Sequence, residues 1–365
     1  MKRPTVLILY SELMGYTMAC LGYLVEHYEI DLHVISWDQA KKISPYQAPS
    51  TTSFVNKPKS DFASWQDIYQ YAMTIAPTTI FVSGWIDKDY LKVTKACASQ
   101  GITIVSFVDN QWRGTLKQHV ARLLLSFKLK QWYQYLWVSG QRQVEYAQQL
   151  GYPLSRIRIG FYAADVSFYG AVYTRRHSMI SATGYPKNIT FVGRLVASKG
   201  IDILMQVFLE NAERWNDWTL TIIGNGELEK PLKKQAQDNQ QIRFYHFMDP
   251  GSLSDIMLQT GIFCLPSRFE PWGVVVHEFA AAGIPLATST AVGANASFLE
   301  EGQNGYSFLR DNKNSLTNTI DKLISCSPAE LMRMGDRSHV LAQSITQQTW
   351  SSTFMEFLHL SESKR

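Results

Sequence analysis

The stretch Ile262 to Gly283, IFCLPSRFEPWGVVVHEFAAAG, decides how the chain is read. Its opening, Ile262-Phe263-Cys264-Leu265, is an apolar run closed by Pro266, the pattern of a buried strand. Apolar residues resume at Val274 and stop before Gly283 and Pro285, which predicts a helix and its end. A loop that leads from a strand's carboxyl end into a helix is where open α/β sheets place ligands. Two acids stand in this stretch, Glu270 and Glu278, the second among apolar neighbours. Burying an unpaired charge is costly, so Glu278 needs a partner.

Strands and helices alternate outward from here in both directions. Upstream, the runs 189–194 (ITFVGR), 219–226 (TLTIIGNG) and 242–247 (IRFYHF) read as strands, with helical patterns after each; downstream, 285–289 (PLATS) reads as another. The first half shows the same alternation: TVLILY at 5–10, a helical pattern over 12–27, then strands at 32–37, 79–82, 103–108 and 136–139. This predicts an α/β fold of two doubly wound domains facing across a cleft. Residues 1–168 would form the first and 169–346 the second, with a helix at about 347–365 crossing back to the first. The segment 159–165 (IGFYAAD) and the segment 172–187, which carries Arg, His and Ser with little periodicity, make the candidate boundary.

The totals suit this division. A chain of 365 residues is long for one domain, and its 45% hydrophobic and 18% charged residues are those of a globular protein. Lys and Arg outnumber Asp and Glu by 17 to 12 over residues 1–165; subtracting from the totals of 35 and 31 leaves 18 against 19 for the rest. The basic excess is thus confined to the first half, and nothing in it suggests a nucleic-acid partner. Cys20, Cys97, Cys264 and Cys326 lie far apart without metal-ligand spacing, so neither zinc nor a disulfide framework is expected. Met1-Lys2-Arg3 ahead of an apolar run imitates a secretion signal, but Glu12 interrupts it, and a cytoplasmic protein is expected.

Chemistry concentrates in three places. Eight residues of helix between Glu270 and Glu278 would separate them by about 12 Å, too far for two acids to act on one atom as in a retaining glycosidase, ~5 Å apart. Each could instead grip hydroxyls on a different part of one elongated ligand, since a carboxylate accepts two hydroxyl hydrogens. Pro271, Trp272, Gly273 and Val274 would bring the helix N-terminus, which favours an anion, up to that ligand. A helix cap explains Glu270 equally well, and a buried ion pair Glu278. In FVGRLVASKG (191–200), Gly193-Arg194 ends a strand and Lys199-Gly200 precedes a helix, so both cations overhang the sheet, where phosphate or solvent could meet them. Gly224 and Gly226 in GNG, and Gly15 after the first strand, fit either a tight turn or a close approach to phosphate.

Taken together and in this order, GRLVASKG, GNG and EPWGVVVHE resemble glycosyltransferase family 4, the group 1 glycosyltransferases of GT-B fold. AVGANASFLEEGQNGYSF at 291–308 is similar to that family's downstream glycine turn and its Glu-x-Gly-x-x-Gly ending, so the resemblance covers most of 189–311. It implies a retaining enzyme with a nucleotide-diphosphate sugar as substrate, no cofactor and no metal. Arg194 and Lys199 would neutralise the diphosphate, Glu270 would hold sugar hydroxyls, Glu278 the ribose, and backbone near Phe247, Met248, Gly193 and Gly224 would meet the donor. The acceptor would be a glycan or lipid-linked glycan, in an activity such as bacterial surface-polysaccharide assembly.

The first half departs from the family. Where a histidine and aspartate are usual, this chain has Val108-Asp109, so Asp109 is left to orient the acceptor or merely to cap the next helix. Asp165 is all that Tyr162-Ala163-Ala164-Asp165 retains of another motif. A nucleotide-sugar epimerase, a phosphorylase or a non-catalytic nucleotide-sugar binder therefore remains open. Asp87-Lys88-Asp89 imitates a metal-binding string, but Asp87 at a helix start suffices to explain it. Finally, Arg113 to Trp137 contains Arg113, Lys117, Arg122, Lys128 and Lys130, no acid, and many apolar residues. It reads either as a peripheral membrane contact or as a core helix with a cationic outer face.

Overall fold

A computed structural model of the protein describes residues 3–38, 46, 51–237 and 239–362. The chain divides into two compact units, Met1–Ala163 with Gln347–Arg365, and Ala164–Thr346.

In the first unit the strands are β1 (Thr5–Tyr10), β2 (Asp31–Ser36), β3 (Val55–Pro58), β4 (Thr79–Ser83), β5 (Thr103–Val108), β6 (Tyr135–Val138) and β7 (Ile157–Ile159). They pair in parallel in the order β3-β2-β1-β4-β5-β6-β7. The central strands are mostly apolar because helices cover both faces: Val6, Leu7, Ile80, Phe81, Ile104 and Val105 are wholly buried. Strand order reverses between β1 and β4, so the loops after these two strands open a crevice at the sheet's carboxyl edge.

The second unit repeats the plan with β8 (Asn188–Val192), β9 (Thr219–Ile223), β10 (Ile242–Tyr245), β11 (Ile262–Leu265), β12 (Leu286–Ser289) and β13 (Gly305–Phe308). All pair in parallel, in the order β10-β9-β8-β11-β12-β13. Here the switch lies between β8 and β11, which brings the 193–200 loop beside the 266–273 loop.

The helix Gln347–Glu362 belongs to the first unit. Phe354 stacks on Phe81 at 4.2 Å between ring centres, Trp350 packs against Trp137 at 4.9 Å, and the Trp350 indole N–H donates to the Phe161 carbonyl at 2.8 Å. Arg158 grips Glu356 with two nitrogens at 2.9 and 2.5 Å.

One expectation fails. The segment 172–187 is not an irregular connection, since helix spans Val166–Thr183; the division between units falls at Ala163 and Ala164, within the 159–165 segment and a few residues ahead of 168. Asp165 caps this helix by accepting from the Phe168 amide at 3.1 Å. The polar-looking Arg176 is turned inward, 2% exposed, with its guanidinium 5.2 Å from the Tyr185 ring centre and Nη2 donating to the Tyr185 hydroxyl at 3.2 Å.

Candidate functional site

The loops at the carboxyl edge of the second sheet are built from backbone that only glycine permits. Gly224 has φ of +142°, and a Cβ there would stand 1.9 Å from the Gly193 carbonyl oxygen; at Gly226 the obstacle is the Leu195 carbonyl at 2.4 Å. The GNG turn after β9 is thereby pressed onto the glycine-arginine turn after β8. Gly200, with φ of +66°, lies equally close to the Pro266 carbonyl, so the third loop joins the same layer. These glycines place the loops directly against each other.

Arg268 fixes the two central loops together. Its Nη1 donates to the Ala197 carbonyl and to Asp202 at 2.7 Å each, Nη2 reaches Asp202 at 2.8 Å, and Nε reaches Asp311 at 2.8 Å. The amides of Arg268 and Phe269 both donate to the Ser198 carbonyl, at 2.9 and 3.2 Å. The result is that Lys199 is held directly against Glu270, with which it forms an ion pair. Ser267 adds a hydroxyl 3.3 Å from the same carboxylate. Arg194, on the neighbouring loop, is exposed and has no carboxylate partner among the described residues.

Glu270 is 7% exposed and does not cap the helix. The helix Val274–Ala281 begins at Gly273, in the left-handed region at φ of +98°, with neither a side-chain cap nor an acid in its first turn. Its first amides therefore retain their capacity for an anion. Glu270 stands outside the helix, bridged in parallel to Val292, so the 12 Å spacing, which assumed continuous helix, does not describe the pair. Gly293 closes the loop from the other side, its amide donating to the Glu270 carbonyl at 3.0 Å, while the position of its missing Cβ lies 2.0 Å from the Pro271 carbonyl oxygen. Trp272 is 2% exposed against Phe298, so it offers only backbone; its indole Nε1 is buried without an acceptor among the described residues.

Glu278 is not in an ion pair among the described residues. Burial pushes its carboxyl up to about 7, and a hydrogen bond from the Tyr169 hydroxyl works against that rise. The acid is thus divided between its two charge states near neutrality. Beside it, His277 is fully buried and held down at about 4 by burial. Its Nδ1 accepts from the Ala164 amide at 3.1 Å and its Nε2 donates to the Ala342 carbonyl at 2.9 Å, which fixes one neutral tautomer. Phe247 is half exposed, and its amide donates to the Asn225 side chain at 2.8 Å; Asn225 also meets His246 at 2.9 Å, tying the Phe247–Met248 loop to the GNG turn.

Gly15 and Asp109 belong to the first unit. Gly15 opens the helix Gly15–His27, which has no side-chain cap and no acid in its first turn. Next to it, Tyr16 meets Tyr162 edge-on at 5.6 Å. Tyr162 donates from its hydroxyl to Asp109 Oδ2 at 3.4 Å, and burial raises its pKa well above the ordinary tyrosine value, so it remains a donor. Asp109 is not a helix cap; Thr115 caps the helix Leu116–Trp132. Asp87, by contrast, caps the helix Lys88–Ser99, and Lys59 bonds both Asp87, at 2.7 Å, and Asp89, at 2.9 Å. The Asp-Lys-Asp string is therefore a capped and neutralised helix start.

Arg268, His277 and Asn225 are absent from the sequence reading. Each acts through a partner remote in the chain, so that Asn225 inside the GNG turn and His277 inside EPWGVVVHE give no sign in sequence of what they hold.

Residues 180–339 match the family model of glycosyl transferases group 1, the stretch that holds Arg194, Lys199, Glu270 and Glu278. An uncharacterized glycosyltransferase of Haemophilus influenzae is 30% identical over 158 residues, 43% of this chain and 44% of that one. The chain thus matches less than half the length of this relative. Among solved structures, Anabaena HepE in complex with UDP and glucose superposes with a TM-score of 0.73 over 96% of this chain and 99% of that one, at 15% identity. WaaG, a glycosyltransferase involved in lipopolysaccharide biosynthesis, superposes with a TM-score of 0.68 over 97% and 99%, at 13% identity. The chain has the GT-B fold, and its second unit carries the stretch matched by the group 1 model.

Proposed function

We propose that the protein is a retaining glycosyltransferase that moves a sugar from a nucleoside diphosphate to a hydroxyl of an acceptor sugar or lipid-linked glycan. The observation that carries this reading is the juxtaposition, at the β8/β11 switch point, of exposed Arg194 with the Lys199–Glu270 pair and the uncapped helix at Val274. A diphosphate seated there meets two cations and a helix N-terminus, which stabilise the charge that develops as the sugar C1–O bond breaks. The bonding pair leaves with the diphosphate, the acceptor oxygen bonds C1 from the same face, and the acceptor proton passes to a departing phosphate oxygen. Glu270 trades part of its contact with Lys199 for sugar hydroxyls. Glu278, ionised, accepts the two ribose hydroxyls. Asp109 orients the acceptor hydroxyl, with Tyr162 holding its carboxylate.

On this reading Arg194 and Lys199 supply the positive charge, and no metal or resident cofactor takes part. All four cysteines are free thiols, which supports a cytoplasmic location. A role in surface-polysaccharide assembly agrees with that of WaaG, a glycosyltransferase involved in lipopolysaccharide biosynthesis. The test is a thermal-shift screen with UDP, GDP, ADP and dTDP sugars, followed by assay of donor hydrolysis and transfer. Stabilisation by one nucleotide sugar, lost in Arg194→Ala, supports the site; stabilisation by none refutes it. Donor binding without turnover on any acceptor extract would make the protein a nucleotide-sugar binder instead.

A further inference from the structure

The helix Leu116–Trp132 turns an apolar face to the outside of the first unit. Leu116 and Leu123 are each 81% exposed, Phe127 70% and Leu124 68%, with Val120 also exposed. At about 100° per residue these five positions fall within an arc of about 100°, the width of the stripe with which a surface helix normally meets its core. Here the core is met by the opposite side. Leu129 and the terminal Tyr133 are buried, and Trp132 lies under the Lys95 ammonium, 4.0 Å from its ring centre. The helix is therefore apolar on both sides, and only one of them is covered within the unit.

The borders of the exposed stripe are basic. Lys128, on one edge, is exposed and Lys130, on the other, half-buried, and no Asp or Glu occurs anywhere from Arg113 to Trp137. Arg122 lies on the far side of the helix, where it bonds the Gln149 side chain at 2.8 Å. Among the described residues no helix is long and apolar enough to cross a membrane, so this stripe has the make-up of a helix lying in an interface, not of a span. An apolar ridge bordered by Lys128 and Lys130, with no carboxylate partner for either among the described residues, complements one surface best: apolar chains beneath anionic headgroups.

We propose that the Leu116–Trp132 helix docks the protein on an anionic lipid bilayer, with Leu116, Val120, Leu123, Leu124 and Phe127 entering the headgroup boundary and Lys128 and Lys130 resting on the phosphates. This stands apart from the sugar-transfer reading, since docking needs neither donor nor acceptor. It gives the enzyme a place where lipid-linked acceptors are concentrated.

The experiment is flotation of the full chain with vesicles of phosphatidylcholine alone and of phosphatidylcholine mixed with phosphatidylglycerol, at low and high salt. Binding is expected only to the anionic vesicles and to weaken with salt, with each basic side chain near the surface contributing about fivefold. Lys128→Gln with Lys130→Gln should therefore lower the partition coefficient by about 25-fold. Leu123→Glu with Phe127→Glu should abolish flotation while leaving the melting temperature and donor-induced thermal shift unchanged, because both side chains face solvent. A Phe127→Trp variant should show blue-shifted emission on anionic vesicles. Flotation that survives Leu123→Glu with Phe127→Glu overturns the proposal, as does equal binding to neutral vesicles or none to either. So does a dimer in solution that this double variant converts to monomer without any vesicle binding, because the stripe would then join two copies.

Discussion

Replacing Glu278 by Gln should separate the energetic cost of this acid from its use. In the folded protein its carboxyl keeps its proton up to about 7, whereas in the unfolded chain it ionises near 4.5. Between these values the unfolded state releases a proton that the folded state retains, so stability falls as pH rises and the loss is complete above 7. The full separation corresponds to about 3 kcal/mol, and the side chain's residual exposure reduces this to about 2 kcal/mol. Glutamine has no proton to lose. The variant should match the wild type near pH 5 and exceed its stability by about 2 kcal/mol at pH 8, read from urea unfolding at both pH values. Donor binding should respond in the opposite sense. Ribose hydroxyls require the ionised acid, so the wild-type Kd for the nucleotide sugar should worsen about tenfold for each pH unit below 7. The variant's Kd should be flat with pH and, at pH 8, weaker by at least about tenfold, the worth of one hydrogen bond to a charged group. A stability difference that is the same at pH 5 and pH 8 would refute the burial argument. An unchanged Kd in the variant would show that Glu278 does not face the donor.

Gly224→Ala should cost about 2–4 kcal/mol in urea unfolding, because the new methyl meets the Gly193 carbonyl at 1.9 Å. Gly22→Ala, in a helix with nothing within 4 Å of the new atom, should instead stabilise by about 0.5–1 kcal/mol. Arg268→Ala releases the 197–199 loop from Asp202 and Asp311; the expected signature is a rise in donor KM larger than any fall in kcat, with about 1–3 kcal/mol of stability lost. Arg194→Ala should leave stability unchanged yet lower kcat/KM by about a hundredfold or more, while a metal chelator leaves the wild-type rate as it was.

The second unit was legible because the runs 189–192, 219–223 and 262–265 break off at a glycine or proline, and because its motifs are local. Gly193-Arg194 and Glu270-Pro271 announce their position by following such runs. Pairing is not local. Nothing in the sequence says that Lys199 rests on Glu270 or that His277 joins Ala164 to Ala342, since these contacts are set by strand order and loop packing. The helix Val166–Thr183 was missed for a related reason: Arg176 looks like a surface residue until Tyr185 is seen to receive it. Likewise, the 116–132 segment shows an apolar stripe in sequence, but which side the core covers depends on Leu129 and Tyr133 meeting their neighbours.

The return of the helix Gln347–Glu362 to the first unit has a consequence for biosynthesis. The ribosome delivers Phe81 and Trp137 long before Trp350 and Phe354, the rings that cover them. Throughout translation of the intervening residues, the first sheet waits with an aromatic face unsealed, while the whole of the second unit can fold. Completion of the first half thus depends on residues that emerge only after the whole of the second unit. A chain stalled before Gln347 should present a sticky aromatic surface to chaperones.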